Sequence, residues 1–141
     1  MAGVVAVSGV MSERISDDLL WDTWCFALPS ASLAPGRLAA RTLLGEPVVC
    51  GCQPDGTAFA LRDVCPHLGI IPLSDGRMAG GTVEYCYHGW RLGADGVCIS
   101  IPSLVGDQEV DVSRIRVRRY PIGKAADRPR PIEVLEFPCH V

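Results

Sequence analysis

The sequence of 141 residues has few histidines, no long apolar run and no excess of basic charge. No apolar stretch approaches the roughly 18 residues that a membrane-spanning helix needs, and the first ten residues lack the basic start of a secretory signal. The net charge of -3 provides no electrostatic footprint for nucleic acid. No glycine-rich stretch runs into Lys-Ser or Lys-Thr, so a phosphate-binding loop has no support. These absences predict a cytoplasmic chain without a membrane or nucleic-acid partner.

The composition is that of one folded domain rich in turns. The chain is 48% hydrophobic and 21% charged, with 15 Gly and 11 Pro, and it is too short for two domains of ordinary size. Seven cysteines are an odd number, which in a reducing compartment favours metal ligation or free thiols over a disulfide framework.

Short aliphatic runs separated by turn residues predict an all-β fold. The sequence Gln53-Pro54-Asp55-Gly56 is a turn by its chemistry, and Ile115 and Val117 alternate with arginines as in a strand with one wet face. Ser16-Asp17-Asp18 instead predicts the start of a short helix through Trp24, which Pro29 and Pro35 would end. The other predicted strands cover residues 37–44, 47–52, 57–63, 82–87 and 97–101.

Two of the three histidines lie two residues after a cysteine, in Cys65-Pro66-His67 and Cys86-Tyr87-His88. Each pair follows a predicted strand, so two hairpin tips can close on one metal centre. A zinc ion accepts both donor types, but zinc modules generally pair cysteine with cysteine. One thiol and one imidazole from each loop suit a 2Fe-2S cluster, in which two thiolates bind one iron and two imidazoles bind the other. Cys50-Gly51-Cys52 has no nearby histidine and is predicted to be two ordinary strand thiols.

These segments resemble the cluster loops of Rieske domains from ring-hydroxylating and related oxygenases. The similar segments are CPHLG at 65–69, PLSDGRM at 72–78 and YHGWR at 87–91. The likeness extends over residues 19–122 and is with the N-terminal domain of the oxygenase α subunit. It implies a Rieske-like antiparallel β sandwich or barrel with a small cluster-binding subdomain of two loops, besides the short N-terminal helix. Residues 1–18 would then be a flexible leader, with Met11 as an alternative start. Residues 123–141 would be a divergent Pro-rich tail with an edge strand at 132–137, as a truncated or frame-shifted gene would produce.

The resemblance also implies a function and partners. The chain would transfer electrons from a reductase or ferredoxin to a catalytic oxygenase domain or subunit. It holds no catalytic residue itself, because His140 alone cannot supply the two histidines of a mononuclear iron site. A cluster-free binding module and a stand-alone Rieske ferredoxin are the alternatives. The implied ligands of the cluster and its irons are Cys65, His67, Cys86 and His88.

The fourth of these ligands departs from the family pattern. In the family the second cysteine lies three residues before its histidine, and here that position is Tyr85. Cys86 comes one residue later, and one residue along an extended chain moves the attachment point by about 3.3 Å and turns the side chain to the opposite face. Three hypotheses remain open: Cys86 ligates after the loop remodels, the domain holds no cluster, or another metal occupies the site.

Overall fold

A computed structural model of the chain describes residues 24–67, 69–86, 88–104, 106, 110–124 and 134–138. Its strands are β1 (Trp24–Pro29), β2 (Leu38–Leu43), β3 (Glu46–Cys52), β4 (Ala58–Arg62), β5 (Arg77–Ala79), β6 (Thr82–Glu84), β7 (Arg91–Leu92), β8 (Cys98–Ser100), β9 (Arg119–Tyr120), β10 (Gly123–Lys124) and β11 (Val134–Pro138). The helices found in these residues are 3-10 turns of three residues, at Ser30–Ser32, Leu73–Asp75 and Val112–Arg114. Within the described ranges, no helix is long and apolar enough to cross a membrane.

The strands form three antiparallel sheets, which confirms the all-β prediction. Their orders are β1-β11-β10, β2-β3-β4-β9 and β5-β6-β7-β8. The β2–β3 hairpin turns at Leu44 and Gly45, one residue earlier than the sequence pattern indicates, and both residues have positive φ, of 50° and 81°. Two consecutive positive φ angles give the turn twist that matches the strands of a two-residue hairpin.

The prediction of an N-terminal helix is wrong from Trp24 onward, where the structure describes the chain. Residues 16–23 lie outside the described residues, but Trp24–Pro29 is a strand that pairs with β11, from Trp24 opposite Pro138 to Pro29 opposite Val134. The pairing partner lies at the far end of the sequence, so local helix signals could not reveal it. The tail does contain a strand close to the predicted 132–137, and it lies between β1 and β10 instead of at a sheet edge.

The sheet β2-β3-β4-β9 separates two halves of the core. Val49, Phe59 and Leu61 face a cluster that includes the inner side of the β5–β8 sheet. Their strand neighbours Val48 and Ala60 belong to a second cluster with Ala27 and Leu28 of β1. Since successive side chains of a strand point to opposite faces, β3 and β4 are buried on both sides. This doubly covered sheet is the base from which the first cysteine–histidine loop leaves.

Residue 51 of β3 must be a glycine because the Phe59 ring of β4 occupies the space that a Cβ would need. It lies directly opposite Phe59 of β4, and a Cβ at Gly51 would overlap the tip of the Phe59 ring, which is itself fully buried. We expect Gly51→Ala to lower the free energy of unfolding by about 1–3 kcal/mol, because the buried ring would have to shift against the core residues around it. Urea denaturation measures this.

Gly106→Ala is the matched control for that substitution. A Cβ at Gly106 would meet nothing within 4 Å, so the expected change is within about 0.5 kcal/mol. Equal losses in the two variants would contradict the packing argument.

Candidate metal centre

The first cysteine–histidine loop begins where β4 ends and turns around the sulfur of Cys65. Cys65 is buried at 5% exposure, whereas His67 is exposed. The backbone N–H of His67 donates to Cys65 Sγ at 3.3 Å, and the N–H of Gly69 donates to the Cys65 carbonyl at 3.1 Å. An N–H directed at the sulfur stabilises negative charge there. The loop therefore presents a buried sulfur and an exposed imidazole, the donor types that the sequence predicted.

The base of this loop is fastened by Asp63, the one buried charged residue in the described part of the chain. Its carboxylate accepts hydrogen bonds from the backbone N–H of Ser74 at 2.8 Å and from the Ser74 hydroxyl at 2.6 Å. Residue 63 precedes the loop and residue 74 follows it, so the two bonds close the loop at its base. Sequence reasoning missed this contact, because Ser74 lies in the PLSDGRM segment at 72–78 but nothing in that segment indicates Asp63 as its partner.

We expect Ser74→Ala to loosen the first loop. The substitution removes a hydrogen bond to a charged group, which is worth about 1.5–3 kcal/mol, and leaves Asp63 with the backbone N–H alone. The measurement is alkylation of Cys65 in the metal-free protein followed by mass spectrometry. Cys65 should react faster than in the unmodified chain, while Cys98, buried at 2% exposure on β8, should react at an unchanged rate. Unchanged protection of Cys65 would show that the bonds to Asp63 do not hold the loop.

The second loop is the tip of the β6–β7 hairpin. The N–H of Tyr85 donates to the Trp90 carbonyl at 2.7 Å and closes the turn. Within it His88 is exposed and has φ 61°, and Gly89 has φ 65°. A positive φ is uncommon for a non-glycine residue, so the turn is tightly constrained at His88. The structure places Cys86 on the exposed side and Tyr85 on the buried side, at 3% exposure.

The two loops lie against each other. The His67 ring of the first loop lies 5.2 Å from the Trp90 ring at the end of the second, centroid to centroid. The Tyr85 hydroxyl donates a long hydrogen bond of 3.4 Å to the Ile71 carbonyl of the first. Trp90 also packs against the core cluster that contains Cys65. His140 lies outside the described residues.

The predicted donors match a 2Fe-2S cluster only in part. Cys65, His67 and His88 have the chemistry and the loop positions that a cluster with mixed ligands requires. Cys86, which would supply the second thiol, does not have the required position, because it lies on the exposed side of its loop. Among the described residues, no three His, Cys, Asp or Glu side chains lie close enough together to hold a metal ion. The structure therefore brings the two loops together, but it does not gather Cys65, His67 and His88 into one metal-binding group, and the side chain of Cys86 lies on the exposed side.

The remaining candidate cysteines are ordinary core thiols. Cys50 and Cys52 are buried on the face of β3 that packs toward β1. Burial raises the pKa of Cys50 to about 12, so its thiolate, the form that binds metal, is strongly disfavoured. The sequence predicted two ordinary strand thiols here, and both residues are buried thiols on β3.

A charged cluster fixes the sheet below the second loop. Glu84 of β6 accepts from Arg77 Nη2 of β5 at 2.6 Å and from Arg91 Nη2 of β7 at 3.1 Å. The hydrogen bond from Arg77, followed by that from Arg91, lowers the pKa of Glu84. The carboxylate thus joins three neighbouring strands on their outer face.

An antiparallel β domain in which two adjoining loops each carry a thiol and an imidazole is of the iron–sulfur electron-transfer class. Comparison with known proteins gives the family: residues 23–121 match the Rieske [2Fe-2S] domain. The chain belongs to this family, and the function of such a domain is electron transfer through a Rieske-type cluster.

Similar proteins include components of oxygenases. The chain is 37% identical over 109 residues to the oxygenase subunit of 3-chlorobenzoate-3,4-dioxygenase from Comamonas testosteroni, an alignment covering 77% of this chain and 25% of that one. The crystal structure of apo dicamba monooxygenase superposes with a TM-score of 0.68 at 29% identity, over 86% of this chain and 34% of that one. The chain thus spans a quarter or less of the length of the first curated relatives it matches.

A smaller protein shares the fold. The putative NADH-dependent nitrite reductase small subunit from Mycobacterium tuberculosis superposes with a TM-score of 0.64, over 84% of this chain and 97% of that one. At 22% identity this likeness concerns the fold alone.

Proposed function

We propose that this chain is the electron-transfer part of a Rieske non-haem iron oxygenase system. It would accept single electrons from a reductase or ferredoxin and pass them to a catalytic oxygenase domain or subunit. The observation that carries the proposal is the contact of the two loops, which brings the exposed ring of His67 against Trp90 of the second loop. The oxygenase relatives support this role over a cluster-free module or a stand-alone ferredoxin.

The proposed ligands are Cys65 and Cys86 on one iron and His67 and His88 on the other. When bound, the cluster would supply one-electron chemistry at a mild potential, because neutral imidazoles replace two thiolates. The chain's contribution is to bury Cys65 against the core and to keep both imidazoles at the surface. A surface imidazole edge gives a redox partner close access to the cluster.

Two exposed arginines, Arg77 and Arg91, support a binding surface for the redox partner close to the second loop. The side chains of Arg77 and Arg91 are 76% and 49% exposed on the sheet that carries this loop. An acidic electron donor would be steered towards them. The cytoplasmic location stays part of the proposal, and it is supported by the free thiols of Cys50, Cys52, Cys86 and Cys98, as expected in a reducing compartment.

Iron and sulfide analysis of the aerobically expressed chain tests the proposal. We expect about two irons and two inorganic sulfides per chain, with visible absorption. Addition of a reductase of the oxygenase type with NADH should then bleach that absorption. A folded, colourless chain without iron would overturn the proposed function.

A further inference from the structure

The register of the β6–β7 hairpin decides which side chain of the second loop faces inward. Val83 pairs with Leu92 and Glu84 pairs with Arg91, and the bond from the Tyr85 N–H to the Trp90 carbonyl extends the same pairing by one step. Side chains alternate along a strand. Val83 and Tyr85 are accordingly buried, at 0% and 3% exposure, and Cys86 is exposed. The hairpin places a phenol where the second thiol should be.

Tyr85 occupies the place that faces the first loop. Its ring belongs to the same core cluster as Cys65, and its hydroxyl reaches the Ile71 carbonyl of the first loop at 3.4 Å. A tyrosine is much longer than a cysteine, so from the same backbone position its ring fills the space into which a cysteine would direct only a sulfur. A phenol oxygen is also a hard donor, whereas an iron–sulfur cluster takes thiolates.

Sliding the whole of β6 by one residue cannot correct this. A one-residue slip reverses every side chain of a strand. Glu84 would turn inward and lose its contacts with Arg77 and Arg91, and Val83 would leave the core. Any exchange must therefore be confined to the tip of the hairpin.

A β-bulge at the tip achieves such a local exchange. In a bulge two residues of one strand oppose a single residue of its partner, so the side chains beyond it change faces while those before it stay. With Glu84 and Tyr85 together opposite Arg91, Cys86 would take the position opposite Trp90 and turn inward, while Tyr85 turned outward and Val83 and Glu84 stayed in place. The neighbouring pairing of β7 with β8 already carries such an irregularity, between Arg91 and Leu92.

We propose that Tyr85 and Cys86 are alternative occupants of one inward position: Tyr85 holds it in the cluster-free chain, and Cys86 takes it when the cluster is bound. This rests on the proposed function. Cys86 would hold the cluster as a thiolate, with its proton released to solvent and no net oxidation or reduction. Cluster assembly would thus be coupled to the removal of Tyr85 from the core.

Iron content in three chains tests the exchange. They are the unmodified chain, Cys86→Ser, and Cys86→Ser combined with Tyr85→Cys, which supplies an inward thiol without any change of register. After reconstitution with ferrous iron and sulfide, the first and third should hold the cluster, and Cys86→Ser should hold about tenfold less iron or lower still.

The other possible iron contents of the three chains decide whether the exchange alone fails or the proposed function fails with it. Full iron content in Cys86→Ser would overturn the exchange while leaving the proposed function standing. Iron in the double variant but none in the unmodified chain would show that Tyr85 blocks the site permanently, and it would overturn both the exchange and the proposed function of this chain. Absence of iron from the double variant alone would show that position 85 is not the inward ligand position and would overturn the exchange as well. Absence from all three would overturn the proposed function itself, and the exchange with it.

A second measurement follows Cys86 directly and does not depend on electron transfer. In the metal-free chain Cys86 should be alkylated rapidly, and reconstitution should slow its alkylation about tenfold or more. Cys98, buried in the core, reports on folding and should react slowly in both states. Equal reactivity of Cys86 with and without the cluster would overturn the exchange.

Discussion

Replacing Cys65 by alanine is expected to lower the iron bound per chain by about tenfold or more, since even residues that only support metal ligands cost 10–100-fold when lost. Cys65 supplies the one buried sulfur of the first loop, and the His67 N–H already points at it, 3.3 Å away. Without it one iron would keep at most a single protein thiolate. The measurement is iron content after reconstitution and gel filtration.

Cys98→Ala is the control for that loss. Cys98 is a buried thiol of the same core cluster, so the control removes a sulfur and leaves a comparable cavity without touching a proposed ligand. Iron content should stay at the level of the unmodified chain. An equal loss in both variants would mean that packing, and not ligation, explains the effect of Cys65→Ala.

Replacing His67 by cysteine is expected to lower the reduction potential of the assembled cluster by on the order of 100 mV or more. A thiolate in place of a neutral imidazole adds one negative charge to the cluster, which disfavours the electron. Centres with two imidazoles lie between about -150 and +300 mV, and all-cysteine plant-type clusters lie near -400 mV. Spectroelectrochemical titration of the loaded chain measures the shift.

Ser103→Cys provides the control for the potential. Ser103 is exposed, and its neighbour Pro102 adjoins the second loop, where a Cβ on Gly89 would meet Pro102 Cγ at 3.7 Å. This variant adds a thiol beside the cluster site without changing a proposed ligand, so the potential should not move. A potential that is also unchanged in His67→Cys would remove His67 from the ligand set.

The hairpins could be predicted because their signals are local. The turn at 53–56 follows from turn chemistry, and the half-buried Ile115 and buried Val117 lie between exposed arginines as period-two alternation predicts. The strand predicted at these residues is wrong, because Val112–Arg114 is a 3-10 turn and Arg116 makes an isolated bridge to Val97. The strand at Trp24–Pro29 could not be predicted in this way, because its partner β11 lies more than a hundred residues further along the chain. A local helix signal was therefore overruled by a distant pairing.

In the candidate metal centre, too, local features could be predicted from the sequence and contacts between distant residues could not. The two cysteine–histidine pairs are visible in the sequence because their spacing is short, and the structure does bring their loops together. The inward direction of Tyr85 follows from alternation after Val83, a signal that was present in the sequence but depends on knowing where β6 pairs with β7. The bonds from Ser74 to Asp63 link residues eleven apart, and no sequence signal pairs these two residues, so only the folded chain shows the bonds.

A Mössbauer spectrum of the reconstituted, unmodified chain tests the central claim most directly, since it distinguishes the ligands of each iron. The account predicts two inequivalent iron sites in equal amounts, one with sulfur ligands alone and one that also carries imidazole nitrogen. A spectrum with two equivalent all-sulfur sites, or with a single mononuclear iron, would contradict it.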